Sequence, residues 1–172
     1  MVTRAQPDLA AARAVAAAVP DPELPMVTVA DLGILRDVGA RDDGSLVVTI
    51  TPTYSGCPAL REIAHDLRRR LAAAGFAEVT VRTALAPAWS SDWITAAGRR
   101  KLLEAGVAPP HPAAAQPGPV PLTLAGIRRE PVTCPQCESG RTAQTAAFSG
   151  TACKALYRCE SCREPFEYIK DI

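Results

Sequence analysis

Residues 46–75 read LVVTITPTYSGCPALREIAHDLRRRLAAAG, and two periodicities meet within them. Leu46, Val48 and Ile50 alternate with Val47 and Thr49, which predicts a strand over residues 46–51 with one face toward a core. Beyond Pro58 the spacing changes. Leu60, Ile63, Ala64, Leu67 and Leu71 fall on one helical stripe, which predicts a helix over residues 58–74 stopped at Gly75. Arg68, Arg69 and Arg70 lie mostly off that stripe and read as a solvated face. A strand thus passes into a helix through the loop Thr51-Pro-Thr-Tyr-Ser-Gly-Cys57-Pro58.

On the N-terminal side, Asp43-Gly44 is a turn signal that pairs the 46–51 strand with another near residues 34–38. An alanine-rich helix over residues 8–19 is stopped by Pro20 and Pro22, because proline disfavours helical geometry in the residue before it. On the C-terminal side come a strand over residues 79–83, a tryptophan-containing segment and a helix near residues 96–105. The expected fold is a small α+β domain.

Residues 108–121 carry so much proline and alanine that extended, semi-rigid chain is expected. The domains are therefore drawn as a first domain over 1–107, a linker over 108–127 and a tail domain over 128–172. The tail holds five of the six cysteines: Cys134-Pro-Gln-Cys137, Cys153 and Cys159-Glu-Ser-Cys162. Two Cys-x-x-Cys knuckles turn two sulfurs each toward one point, which suits a tetrahedral tetrathiolate site in a zinc ribbon. The 21 residues between them slightly exceed the usual range, an excess that a hairpin absorbs. Cys134, Cys137, Cys159 and Cys162 are the expected ligands, with Cys153 as a substitute for one of them. A structural zinc that staples a fragment too small for its own core is the first reading. An iron-sulfur or redox role for the same four is the other.

Composition bounds the rest. With 172 residues, 48% hydrophobic and 22% charged, the chain has material for one core domain and an appendage. The N-terminus lacks the continuous apolar core of a signal peptide, and no segment is long enough to span a bilayer. Knuckle-spaced cysteines without an export signal fit a reducing cytoplasm. Basic and acidic residues number twelve each over 1–127, and seven and six over 128–172. Nucleic-acid binding draws on clustered Lys and Arg, so no such partner is expected.

Cys57 precedes Pro58, a residue preorganised for a first helical turn, so it is expected at the helix N-cap, where backbone N–H groups and the helix dipole favour a thiolate. That sulfur reads either as a nucleophile or metal ligand, or as a small buried residue at a turn. Asp21, Glu23 and Asp31 place carboxylates in proline-stiffened loops and read either as caps or as site groups. His65 points off the apolar stripe and His111 lies in the linker, so neither is a base for Cys57. A thiol enzyme acting on a thioester would need one.

The combination of Asp21-Pro-Glu23, Asp31-Leu-Gly33, Thr51-Pro-Thr-Tyr-Ser-Gly-Cys57-Pro58 and Pro87-Ala-Trp89-Ser-Ser-Asp92-Trp93 resembles the SufT-like iron-sulfur cluster assembly domain family. With Gly98-Arg99 and the tail from Cys153 to Phe166, it resembles the PaaD-type branch associated with bacterial phenylacetyl-CoA oxygenase (epoxidase) systems. The resemblance implies a non-enzymatic accessory protein of aerobic phenylacetate breakdown, with the oxygenase and its iron-sulfur reductase as partners. It also implies that Cys57 is the ligand for iron or a cluster, in a pocket shaped by Asp21, Glu23, Asp31, Thr51 and Thr53. The alternative is a structural component that docks oxygenase and reductase through the ribbon. A cluster normally takes four ligands, so Cys57 alone cannot hold one. Any cluster is expected to be transient, shared across a homodimer or with a recipient.

Overall fold

The computed structural model describes residues 7–111 and 131–172. Residues 112–127 of the expected linker lie outside them. The chain divides into two compact units, Met1–Ala105 with Ile172, and Gly106–Asp171.

In the first unit, α1 (Leu9–Ala17) starts where the Asp8 side chain accepts the N–H groups of Ala10 and Ala11, both at 3.0 Å. Then follow β1 (Leu35–Ala40), β2 (Leu46–Ile50), α2 (Leu60–Ala73), β3 (Val79–Thr83), a 3₁₀ turn (Ser91–Trp93) and α3 (Ala96–Glu104). The sheet order is β1-β2-β3. β1 and β2 form the expected antiparallel hairpin, and Gly44 takes the positive φ of 79° that its turn requires. β2 and β3 are parallel, so α2 is the crossover between them. Both helices cover one face, α1 packing on β1 and α2 on β3. Leu46, Val48, Ile50, Ile63, Leu67 and Leu71 are buried as their periodicity requires, each contributing roughly 1.5–3 kcal/mol.

Parallel pairing has a consequence for loops. The C-terminal ends of β2 and β3 share one edge of the sheet, where Ile50 pairs with Thr83 and with Leu35 at the start of β1. The loops 28–34, 51–59 and 84–90 therefore open on the same edge. Thr51 donates its N–H to Ile34 O at 2.9 Å, and Ala84 donates to Ile50 O at 2.9 Å.

The second unit is a four-stranded sheet, β4-β7-β6-β5, of β4 (Val107–Ala108), β5 (Thr142–Ala146), β6 (Lys154–Cys159) and β7 (Pro165–Ile169). Ala108, which the proline-rich composition placed at the start of the linker, is a buried strand residue paired with Tyr168. Composition averages over a window and misses a two-residue strand. The core is small: Ala108, Val132, Cys134, Cys159, Phe166 and Tyr168 are buried together, and Tyr157 packs against them. Tyr157 stacks on Phe166 at 5.9 Å and meets Tyr168 edge-on at 5.5 Å.

Candidate metal centre and thiol site

The two knuckles have the same backbone. Cys134 N–H donates to Ser139 O and Cys159 N–H to Glu164 O, both at 3.0 Å, so each knuckle closes on the residue five positions ahead. The residue after the second cysteine takes positive φ in both, 59° at Glu138 and 71° at Arg163. Ser139 and Ser161 tie the knuckles together through a 2.8 Å hydroxyl contact.

This arrangement gathers the Sγ atoms of Cys134, Cys137, Cys159 and Cys162 within 4.8 Å of one another. The cross-knuckle pairs stand at 3.7 Å (Cys134–Cys162) and 3.6 Å (Cys137–Cys159). Those separations are too long for disulfides, whose sulfurs bond at about 2 Å. A tetrahedral ion with sulfurs at about 2.3 Å separates them by about 3.8 Å, so the quartet fits zinc. The backbone N–H of Cys162, with that of Ser161, points at Cys159 Sγ and draws its pKa down to about 6. Cys162 moves the other way. The Glu164 N–H pulls its pKa down, but desolvation and the three neighbouring thiols outweigh that and push it up to about 12. Four thiols this close cannot all ionise without a cation among them.

Cys153 takes no place in the quartet. It precedes β6, whereas Cys159 ends it, a separation of about 20 Å along an extended strand. Its sulfur lies 3.2 Å from Thr151 Oγ1.

The other expected site residues lie in the first unit. Cys57 is half-buried there. It is not the N-cap: α2 begins at Leu60, and Ala59 holds the cap position in helical geometry without a side-chain cap bond. The cause is local. Cys57 N–H donates to Tyr54 O at 3.1 Å and Leu60 N–H to Cys57 O at 3.4 Å, so successive turns carry the chain into the helix two residues later than Pro58 suggests.

Asp21 and Asp31 act as caps. Asp21 Oδ1 accepts the N–H groups of Glu23 and Leu24, both at 2.9 Å. Asp31 Oδ2 accepts Thr28 N–H at 3.0 Å, Thr28 Oγ1 at 3.1 Å and Lys101 Nζ at 2.6 Å. Burial opposes ionisation of Asp31, but the bonds from Lys101 and Thr28 outweigh it and hold the carboxyl below its ordinary value. Glu23 is half-buried and Thr51 buried. Thr53 Oγ1 is buried without a hydrogen-bond partner among the described residues. Backbone bonds link these stretches: Val29 N–H to Val19 O, Asp21 N–H to Val27 O, Ile34 N–H to Val29 O and Thr51 N–H to Ile34 O, all at 2.9 Å.

Sequence reasoning passed over two features. Lys101, seventy positions from Asp31, carries no local signal for that pair. His111, assigned to the linker, donates its N–H to Asp171 at 2.8 Å, and its Nδ1 lies 3.0 Å from the Tyr168 hydroxyl.

A mixed α/β domain whose loops gather at one sheet edge, joined to a ribbon with four converging thiols, defines a two-domain protein with a candidate tetrathiolate metal centre. Residues 9–83 match the family described as iron-sulfur cluster assembly protein, and residues 119–170 match the PaaD zinc beta ribbon domain. The chain is 41% identical over 174 residues to an Escherichia coli protein provisionally named as one of the subunits of 1,2-phenylacetyl-CoA epoxidase, covering 100% of this chain and 98% of the relative. It therefore belongs to the PaaD-type family. An iron-sulfur protein maturation auxiliary factor of Porphyromonas gingivalis is 36% identical over 76 residues, 44% of this chain and 71% of the relative. The crystal structure of a DUF59 domain from Bacillus anthracis superposes with a TM-score of 0.51 at 30% identity, covering 55% of this chain and 90% of that one. Among the described residues no helix is long and apolar enough to cross a membrane.

Proposed function

We propose that this chain is a non-catalytic maturation factor for a phenylacetyl-CoA oxygenase system, and that Cys57 accepts and passes iron or an iron-sulfur cluster. The observation that carries this reading is the division of the sulfurs. Four thiols converge in the ribbon, whereas Cys57 stands in another unit, in a loop at the shared ends of two parallel strands. Such edges are where α/β sheets place their ligands. The names of the relatives support both halves of the reading, cluster maturation and the epoxidase system.

Cys134, Cys137, Cys159 and Cys162 would hold a zinc ion, whose closed tetrathiolate shell supplies architecture because it leaves no open position for chemistry. In the first unit, Asp21 and Asp31 fix the loops by accepting backbone N–H groups, and on this reading Glu23, Thr51 and Thr53 would shape the pocket around the working thiol. Iron or a cluster is cargo on this reading. One thiol cannot complete its ligand set, so the cargo is shared with a second copy or with the client, the oxygenase or its reductase. Knuckle-spaced cysteines acting as ligands suit a cytoplasmic setting.

A Cys57→Ser variant tests the proposal in cells that grow on phenylacetate. Loss of growth with the oxygenase complex still assembled is the expected result, along with loss of iron uptake by the purified variant and unchanged zinc. Normal growth would sink the role of Cys57. It would favour the second reading, a docking component, for which the 64% exposed Phe148 of the ribbon is a candidate contact.

A further inference from the structure

The segment after β3 lies beyond residues 9–83, yet it is built into the loops of the thiol site at atomic clearance. A Cβ added to Gly33 would stand 2.5 Å from Trp93 Cβ, and one added to Gly98 would stand 2.7 Å from Asp31 O. Only glycine lets these chains approach so closely. Thr95 caps α3 with its hydroxyl and donates its own N–H to Asp31 O at 2.9 Å. Trp89 Nε1 donates to Leu32 O at 2.9 Å, and the Arg36 guanidinium sits 3.5 Å from the centre of the Trp93 ring. Asp31 itself takes part in an ion pair within this joint, Lys101 Nζ on Asp31 Oδ2 at 2.6 Å.

We infer that α3 forms the second wall of the thiol site, and that Lys101 is a positioning residue for the loop that carries Cys57. Lys101 holds Asp31, and Asp31 in turn holds the turn from Thr28 through its carboxylate. That turn ends at Ile34, whose carbonyl receives Thr51 N–H, the first residue of the Cys57 loop. Lys101 thus acts on the thiol through position, with no contact to cargo. The inference rests on Cys57 as the working thiol.

The test is the alkylation rate of Cys57 by iodoacetamide at neutral pH in the full-length zinc-loaded protein, read by mass spectrometry on the Cys57 peptide. Lys101→Met is expected to raise the rate several-fold, because a released loop uncovers a half-buried thiol more often. Lys101→Arg is expected to restore it. Lys101→Met alone also strands the Asp31 carboxylate, so the decisive variant is the double substitution D31N/K101M, which removes both charges and is expected to melt near the wild-type temperature. Faster alkylation in that stable double variant supports positioning. A wild-type rate there overturns it and leaves Lys101 a stabilising residue only. The measurement needs no iron. A wild-type protein that takes up no iron would therefore remove the cargo reading, while the alkylation contrast still decides Lys101.

Discussion

The two units solve the problem of staying folded in opposite ways. The first buries long aliphatic side chains, Leu46, Ile50, Ile63, Leu67, Leu71 and Leu102, each less than 2% exposed. Among the described residues the ribbon has no comparable supply. Two of its six central buried residues are cysteines that point at the thiol quartet, and among the rest only Phe166 and Tyr168 are large. An apolar core tolerates the loss of one member, whereas a core organised around an ion does not. The contrast implies that stability and metal content are separable within one chain.

Metal removal should break the contrast most forcefully. Structural zinc in small ribbons is worth on the order of 10 kcal/mol or more, so chelation, or Cys159→Ser, is expected to unfold the ribbon. Both tryptophans, Trp89 and Trp93, belong to the first unit. Their fluorescence should hold steady while the near-ultraviolet dichroism of Tyr157 and Tyr168 collapses. Simultaneous loss of both signals would show that the units share one source of stability. The reciprocal change is Leu67→Ala, expected to cost about 2–5 kcal/mol by tryptophan-detected urea unfolding. Zinc should remain at one ion per chain.

Each unit also holds a lysine–carboxylate pair: Lys101 on Asp31 in the first, and Lys154 on Glu167 in the ribbon at 2.9 Å. Burial opposes ionisation of Glu167, but the Ser149 hydroxyl and Lys154 hold its carboxyl below the ordinary value, as Lys101 and Thr28 do for Asp31. A depressed folded-state pKa contributes stability that is fully present above the unfolded value and drains as pH falls through the folded one. Lys101→Met should therefore cost about 1–3 kcal/mol at neutral pH. The gap from wild type should close in acid below the ordinary carboxylate range. A gap independent of pH would mean that the lysine stem, not its charge, does the holding. The smallest effect belongs to the exposed pair Arg13–Asp37 at 3.3 Å, where Arg13→Ala should change stability by less than about 1 kcal/mol.

The parts of the fold that were legible in the sequence are those fixed by local repetition. β2 and β3 fall within a residue of their expected limits, and α2 starts two residues later and ends one residue earlier than expected, because alternation and the 3.6-residue stripe are written in consecutive side chains. The knuckles were legible because a Cys-x-x-Cys turn closes on itself. What escaped depends on chain brought from far away. Ala108 becomes a strand through Tyr168, and Asp31 is held by an amine seventy positions on. The N-cap expectation for Cys57 failed for a subtler reason. Proline fits a first helical turn, but it fits the tight turn ahead of one as well, and hydrogen bonds from Tyr54 to Leu60 decide between them.

Gly33 and Gly98 carry a lesson about inheritance. Where the path of a backbone leaves no room for even a methyl group, a codon change at either position forces the partner strand of chain to move, and no single compensating substitution can trim a carbonyl oxygen. Gly150, with nothing within 4 Å of its missing Cβ, faces no such demand. Lineages descending from this sequence should thus drift readily at the ribbon's hairpin while these two hydrogens stay fixed, a fossil record of which surfaces had to stay together.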